Sequence, residues 1–277
     1  MENLLPKLPI GAWIDFFIEW LVDHFEPFFE GIAIGLESFV EGIVLGLGFI
    51  PSIILAVLVG LLAWKVCNWK IALFTFIGLL LIDNLGYWEN MLDTIALVLT
   101  SVGISIILGI PIGIWASQSE LVSKIVTPLL DFMQTMPAFV YLLPAIFFFN
   151  IGVVPGVVAS VIFAMPPTIR LTILGIKQVP EDLIEATQAF GSTTRQKLIK
   201  VQLPLAMPTI MAGINQSIML ALSMVVIASM VGAPGLGADV YRAVTQLQTG
   251  TGFEAGLAIV IIAIILDRIT QNIGKKA

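Results

Sequence analysis

One cysteine (Cys67), one histidine (His24) and 12% charged residues in a chain of 277 define what this sequence lacks. A single Cys excludes an internal disulfide framework. So few His and Cys also exclude zinc-type ligand clusters and a Cys–His nucleophile, so neither a metal site nor a catalytic residue is expected. No G-x-x-x-x-G-K-[ST] loop is present, so the chain does not hold ATP in the P-loop manner. No Ser sits in G-x-S-x-G. The opening "MENLLPKLPIGAWIDFF" lacks a basic start and a small-residue cleavage site, and is not read as a signal peptide.

Apolar residues are what is abundant, at 58%. Soluble domains run near 25% charged, so this composition is that of an integral membrane protein. Several runs reach the roughly 17–25 apolar residues that cross a bilayer as a helix. The ten-residue alternating segments of a membrane barrel are missing. The expected fold is all-α and polytopic, with about seven transmembrane helices near 46–64, 70–82, 92–116, 127–149, 153–175, 209–232 and 254–272.

Lys and Arg favour the cytoplasmic side of a membrane protein. If the polar stretch 176–208 is cytoplasmic, Lys65, Lys70, Lys124, Arg170, Lys177, Arg195, Lys197, Lys200, Arg268, Lys275 and Lys276 all fall at the inner side. Only Lys7 and Arg242 fall outside, and the reverse orientation would invert that split. The N-terminus is then external and the C-terminus internal. Asp15, Glu19, Asp23, Glu26 and Glu30 recur at helical steps, with Trp13, Phe16, Phe17, Trp20 and Phe28 on the remaining surface. Such a helix lies in the interface, either as a scaffold with a solvated acidic face or as an electrostatic platform for an external partner. His24 beside it reads as an interfacial residue.

The spans carry few charges, whereas ion-coupled transporters keep ionisable groups at mid-membrane. Asp131 stands out, as an interface anchor or as a functional carboxylate. With no energy source in the chain, a docking site for a partner is expected, and "EATQAFGSTTRQKLIKVQLP" (185–204) supplies one. Pro180, Glu181 and Asp182 start a helix with acids at its positive end. Gly191 permits a sharp turn, Ser192 is expected to cap a second helix, and Pro204 is expected to close it. Two short helices at an angle make a compact knob.

This stretch resembles the EAA loop of ABC importer permeases: Glu185, Ala186 and Thr187, then Gly191, then Val201, Leu203 and Pro204, at matching spacing. Thr187 stands where the family has Ala, and Val201 where it has Ile. The resemblance implies that Glu185, Ala186, Gly191, Leu203 and Pro204 couple the membrane body to a separate ATPase, so the chain itself is not an enzyme. ATP and Mg would be bound by that partner, with no cofactor in this chain. The implied partners are a second copy of the chain, a pair of ATP-binding subunits, an extracytoplasmic substrate-binding protein and the lipid bilayer of the cell membrane, with no nucleic acid.

Three further segments, "LTSVGISIILGIPIGIWASQS", "DFMQTMPAFVYLLPAIFFFNIGVVPGVVASVIFAMPPTIRLT" and "MVGAPGLG", are similar to permeases of glycine betaine and proline betaine importers. Choline and carnitine permeases are near relatives that the sequence does not separate. The resemblance implies a type I permease core over 92–277 with its coupling loop at 181–204. It also implies accessory transmembrane helices over 46–91 and an external acidic amphipathic scaffold over 1–45. Solute would cross by alternating access. Pro137 and Pro144 are expected to interrupt the fourth span beside Gln134, Thr135 and Asn150, and Pro166 and Pro167 the fifth. Interrupted helices either line a cavity or only shape packing. Phe139, Tyr141 and Phe147 to Phe149 are available for an aromatic cage around a quaternary ammonium. Gly232, Gly235 and Gly237 around Pro234 are expected to turn the sixth span back toward a gate.

Overall fold

The computed structural model describes residues 8–276; Lys7 and the side chains of Lys275 and Lys276 lie outside that description. Among the described residues every regular element is helical. A hydrocarbon layer leaves no water for backbone groups, and a helix satisfies them within its own segment.

The first helix, α1 (Ile10–Gly48), runs for 39 residues with non-helical geometry at Phe25. Pro27 explains the kink, because it lacks the N–H that would bond the preceding turn. A turn through Phe49–Pro51 leads to α2 (Ser52–Val66) and α3 (Trp69–Asn84). The span expected from residue 46 therefore starts at Ser52, since Pro51 takes an extended backbone and begins a new helix. At one end of this hairpin the Ser52 hydroxyl bonds the Asp83 carboxylate at 3.1 Å. At its tip Cys67 donates to the Arg268 carbonyl at 3.2 Å.

The body of the molecule is α4 (Trp88–Gln118), α7 (Val153–Lys177), α10 (Leu203–Ser229) and α12 (Thr249–Lys276). The helix α7 is packed between α4 and α10. Small residues let these backbones close on one another, as helix packing in lipid requires. A Cβ on Gly113 would lie 2.6 Å from Thr172 Cβ, and one on Gly213 would lie 3.0 Å from the Pro167 carbonyl oxygen.

Between α4 and α7 come α5 (Glu120–Thr135) and α6 (Ala138–Phe149), bent at 100° to each other. Among the described residues five helices are long and apolar enough to cross a membrane, or six if the bent pair counts as one span. The helices α2 and α3, at 15 and 16 residues, are shorter than the roughly 17–25 residues of a full span.

The two ends of the bundle differ. At one end lies the polar knob, α8 (Glu181–Ala189) and α9 (Thr194–Lys197). At the other, α1 passes over the helix ends. Phe29 stacks on Phe148 at 4.5 Å, at the close of α6. Glu37, Val40, Glu41 and Val44 border a cleft of about 640 Å³ with Asp93, Gly152, Val153, Gly232 and Pro234. The helix α1 meets the span criteria by length and composition, yet these contacts all fall at one end of the bundle.

The same end carries α11 (Leu236–Thr245). Gly235 enters it at φ +112°, and the Leu236 N–H donates to Thr94 Oγ1 at 2.9 Å. Asn90 bonds Asp239, which also pairs with Arg242 at 3.6 Å. The chain after α10 thus folds back on the start of α4.

Candidate functional site

The knob is built as a set of local signals. Pro180, extended, precedes α8, and Glu181 and Asp182 occupy its first turn. Gly191 takes φ +73°, a conformation that side chains resist, and reverses the chain. The cap of α9 is Thr193, not Ser192 as expected. Thr193 and Gln196 form a reciprocal capping box, which places the cap one residue later.

Pro204 does not close the second helix either. A five-residue π-turn, Leu198–Gln202, carries α9 directly into α10, where Leu203 and Pro204 are the first residues. A proline lacks only the backbone donor, and the widened π-turn ahead of it removes the need for that donor. Glu185, Ala186 and Gly191 are exposed together on the knob, while Leu203 and Pro204 sit at the root of α10. Phe190 is 90% exposed beside them, and Leu183 is exposed on the same helix. Two large apolar side chains thus stand uncovered on a polar projection.

The broken helix is the second feature. Gln118 Nε2 reaches Gln202 Oε1 at 3.5 Å, so α5 begins at the knob end, and α6 finishes beneath α1. Glu120, Ser123, Lys124, Thr127, Asp131, Gln134 and Thr135 step along α5. At about 100° per residue they fall within about a third of the helix circumference. The opposite side carries Leu121, Ile125, Leu129 and Phe132, all exposed, while Leu130 and Met133 are buried against α7 residue Ile169. This polar stripe lies in the short segment before Pro137 and is visible in the sequence once α5 is counted alone.

Asp131 Oδ1 accepts from Arg170 Nη2 of α7 at 2.6 Å. The two side chains are 58% and 40% exposed. The Nε of Arg170 is shielded from solvent and has no hydrogen-bond partner.

Of the residues expected along a path, Gln134, Thr135, Pro137 and Tyr141 come together at the bend. The Tyr141 hydroxyl donates to the Met133 carbonyl, the group that Pro137 leaves without a helical donor, and lies 3.3 Å from the carbonyl of Phe132. Asn150 lies apart, ending α6 with φ +61°. Pro166 and Pro167 do not interrupt the fifth span, because α7 is unbroken around them and both are buried. Pro144 likewise sits inside a continuous α6; the break is at Met136–Pro137. The aromatic candidates do not converge on a cage: Phe148 and Phe149 pack against Phe29, and Tyr141 faces the bend. No group of three or more metal-ligating side chains occurs among the described residues.

The family model described as "Binding-protein-dependent transport system inner membrane component" matches residues 105–277. The chain is 73% identical to the glycine betaine transport system permease protein OpuAB of Bacillus subtilis, over 98% of this chain and 96% of that one. It is 54% identical to the glycine betaine/carnitine transport permease protein GbuB of Listeria monocytogenes, over 100% and 99%. With the glycine betaine/proline betaine transport system permease protein ProW of Escherichia coli it shares 49% identity, over 98% and 76%. Among solved structures, an inward-facing form of the MetNI methionine ABC transporter superposes with a TM-score of 0.58 at 22% identity, over 69% of this chain and 93% of that one. At that identity the likeness concerns the fold alone.

Proposed function

From the premise that this chain belongs to the binding-protein-dependent transport system inner membrane components, we propose that it carries glycine betaine through a cell membrane. It is a multi-pass permease subunit of an ABC transporter and not itself an ATPase. The observation that carries the cargo is the 73% identity, over nearly the whole of both chains, to a permease named for glycine betaine.

The working assembly on this reading holds two copies of the chain, two ATP-binding subunits against the knobs and an extracytoplasmic binding protein over the α1 end. ATP and its Mg belong to the ATP-binding subunits. The exposed Phe190 and Leu183 support docking at the knob. Glu185 offers a carboxylate for a charge-assisted hydrogen bond to a basic partner. The distribution of Lys and Arg supports a cytoplasmic knob and C-terminus and an external α1. Solute would pass by alternating access as the ATPases close and open.

Carnitine is the second reading, favoured by the 54% identity to a permease named for both solutes. Uptake of labelled glycine betaine into vesicles holding the complete complex, with ATP inside, is the test. Saturable, ATP-dependent uptake is expected. Carnitine uptake without glycine betaine uptake would move the conclusion to the second reading.

A further inference from the structure

Arg170 lies seven residues from the knob end of α7, about 10 Å along the helix, and Asp131 lies eleven residues into α5, about 17 Å. Arg170 stands inside a helix long and apolar enough to cross the bilayer and Asp131 on the first half of the bent pair, yet their side chains are 40% and 58% exposed on the surface of the chain. Ionisable groups at such depth do not face lipid; they face water or protein. The surface that carries them is therefore not a lipid-facing one. The polar face of α5 leads to the pair from the knob end and continues beyond it to Gln134 and Thr135 at the bend.

The pair is also incompletely satisfied. One Nη–Oδ bond joins it, and the shielded Nε of Arg170 has no partner. A guanidinium presents five donors in a planar fork suited to a carboxylate, and here most of that fork is unused.

We propose that Asp131 and Arg170 form a charge-exchange site for a small zwitterion bearing a carboxylate and a fixed cation, in the knob-end half of the solute path. The solute carboxylate takes the fork of Arg170, and its cationic end takes the place of the guanidinium beside Asp131. The internal ion pair re-forms when the solute leaves. This spares either charge from standing unpaired in a low-dielectric passage, where an isolated charge is costly. The site rests on the reading of the chain as a glycine betaine permease, since that solute has both charges.

The test uses the complete reconstituted complex and measures solute transported per ATP hydrolysed. Wild-type uptake of glycine betaine checks the transport reading itself. Relative to wild type, Arg170→Gln and Asp131→Asn are expected to lower the transport-to-hydrolysis ratio by about tenfold, because hydrolysis continues while passage slows. Arg170→Lys, which keeps the charge but not the fork, falls between. An unchanged ratio in assembled Arg170→Gln and Asp131→Asn complexes overturns the proposal. So does a parallel loss of uptake and hydrolysis that the exchanged pair Asp131→Arg with Arg170→Asp restores, which is the behaviour of a structural tie. Should a neutral variant fail to assemble, Arg170→Lys decides: a ratio equal to wild type overturns the proposal, and a reduced one supports it.

Discussion

Gly191 holds φ +73° with open space around the position where a side chain would begin. Adding a Cβ there strains only the backbone, by about 1–2 kcal/mol. Gly191→Leu is therefore expected to leave membrane insertion intact while turning α8 away from its seat. ATP-dependent uptake should fall to background, with the permease still recovered from membranes at wild-type abundance. Normal uptake by that variant would overturn the coupling role proposed for the knob. Tyr141 is a different case, because its hydroxyl serves the Met133 carbonyl at the break. Tyr141→Phe leaves the Met133 carbonyl unsatisfied, since Pro137 has no N–H to offer it, and should cost about 1–3 kcal/mol, seen as a lower unfolding midpoint of purified protein. An unchanged midpoint would mean that water serves the bend equally well.

At the scale of elements, some boundaries could be read from residue order and others could not. The spacing of Glu185, Ala186, Gly191, Leu203 and Pro204 locates the knob because each residue acts on its immediate neighbours. Pro204 misleads as a stop signal, since nothing local announces a π-turn ahead of it. Thr193 outcompetes Ser192 as a cap because Gln196 stands three residues beyond it and completes the box. The amphipathic α5 was open to inspection, but residues 127–149 read as one apolar run hide it. Only the bend at Met136–Pro137 separates a polar half from an apolar one. The tie between Asp131 and Arg170 joins residues 39 apart in sequence, and no periodicity reports such a meeting.

For the molecule as a whole, the two ends are chemically unlike. One carries α1, with Asp15, Glu19, Asp23, Glu26 and Glu30, and the other carries Lys197, Lys200 and Arg195 on and beside the knob. That polarity is expected to fix the orientation in the membrane. A cysteine at Glu26, with Cys67 first replaced by Ala, should react with a membrane-impermeant thiol reagent in intact cells. Labelling only after lysis would turn the molecule over. The helical class and the membrane setting follow from composition, because apolar runs of this length have few other homes. For the first half of α1 the recurring acids point to an interfacial course, whereas its second half is apolar enough to span. Packing of Phe29 and Val40 on neighbouring helices places it.

The π-turn at Leu198–Gln202 has a mechanical corollary. It makes α9 and α10 one shaft, running from Thr194 to Ser229, with a single supernumerary residue let into its winding. Excising Lys200 would let the shaft rewind at the ordinary pitch, and because a widened turn of five residues covers nearly the same arc as four residues of ordinary winding, the knob would keep roughly its bearing. Removing Leu205, in the regular winding just beyond, would instead swing everything on the knob side by about 100° about the axis. The first deletion should leave the ATP-binding subunits bound, and the second should release them while the spans stay assembled, as read by co-purification.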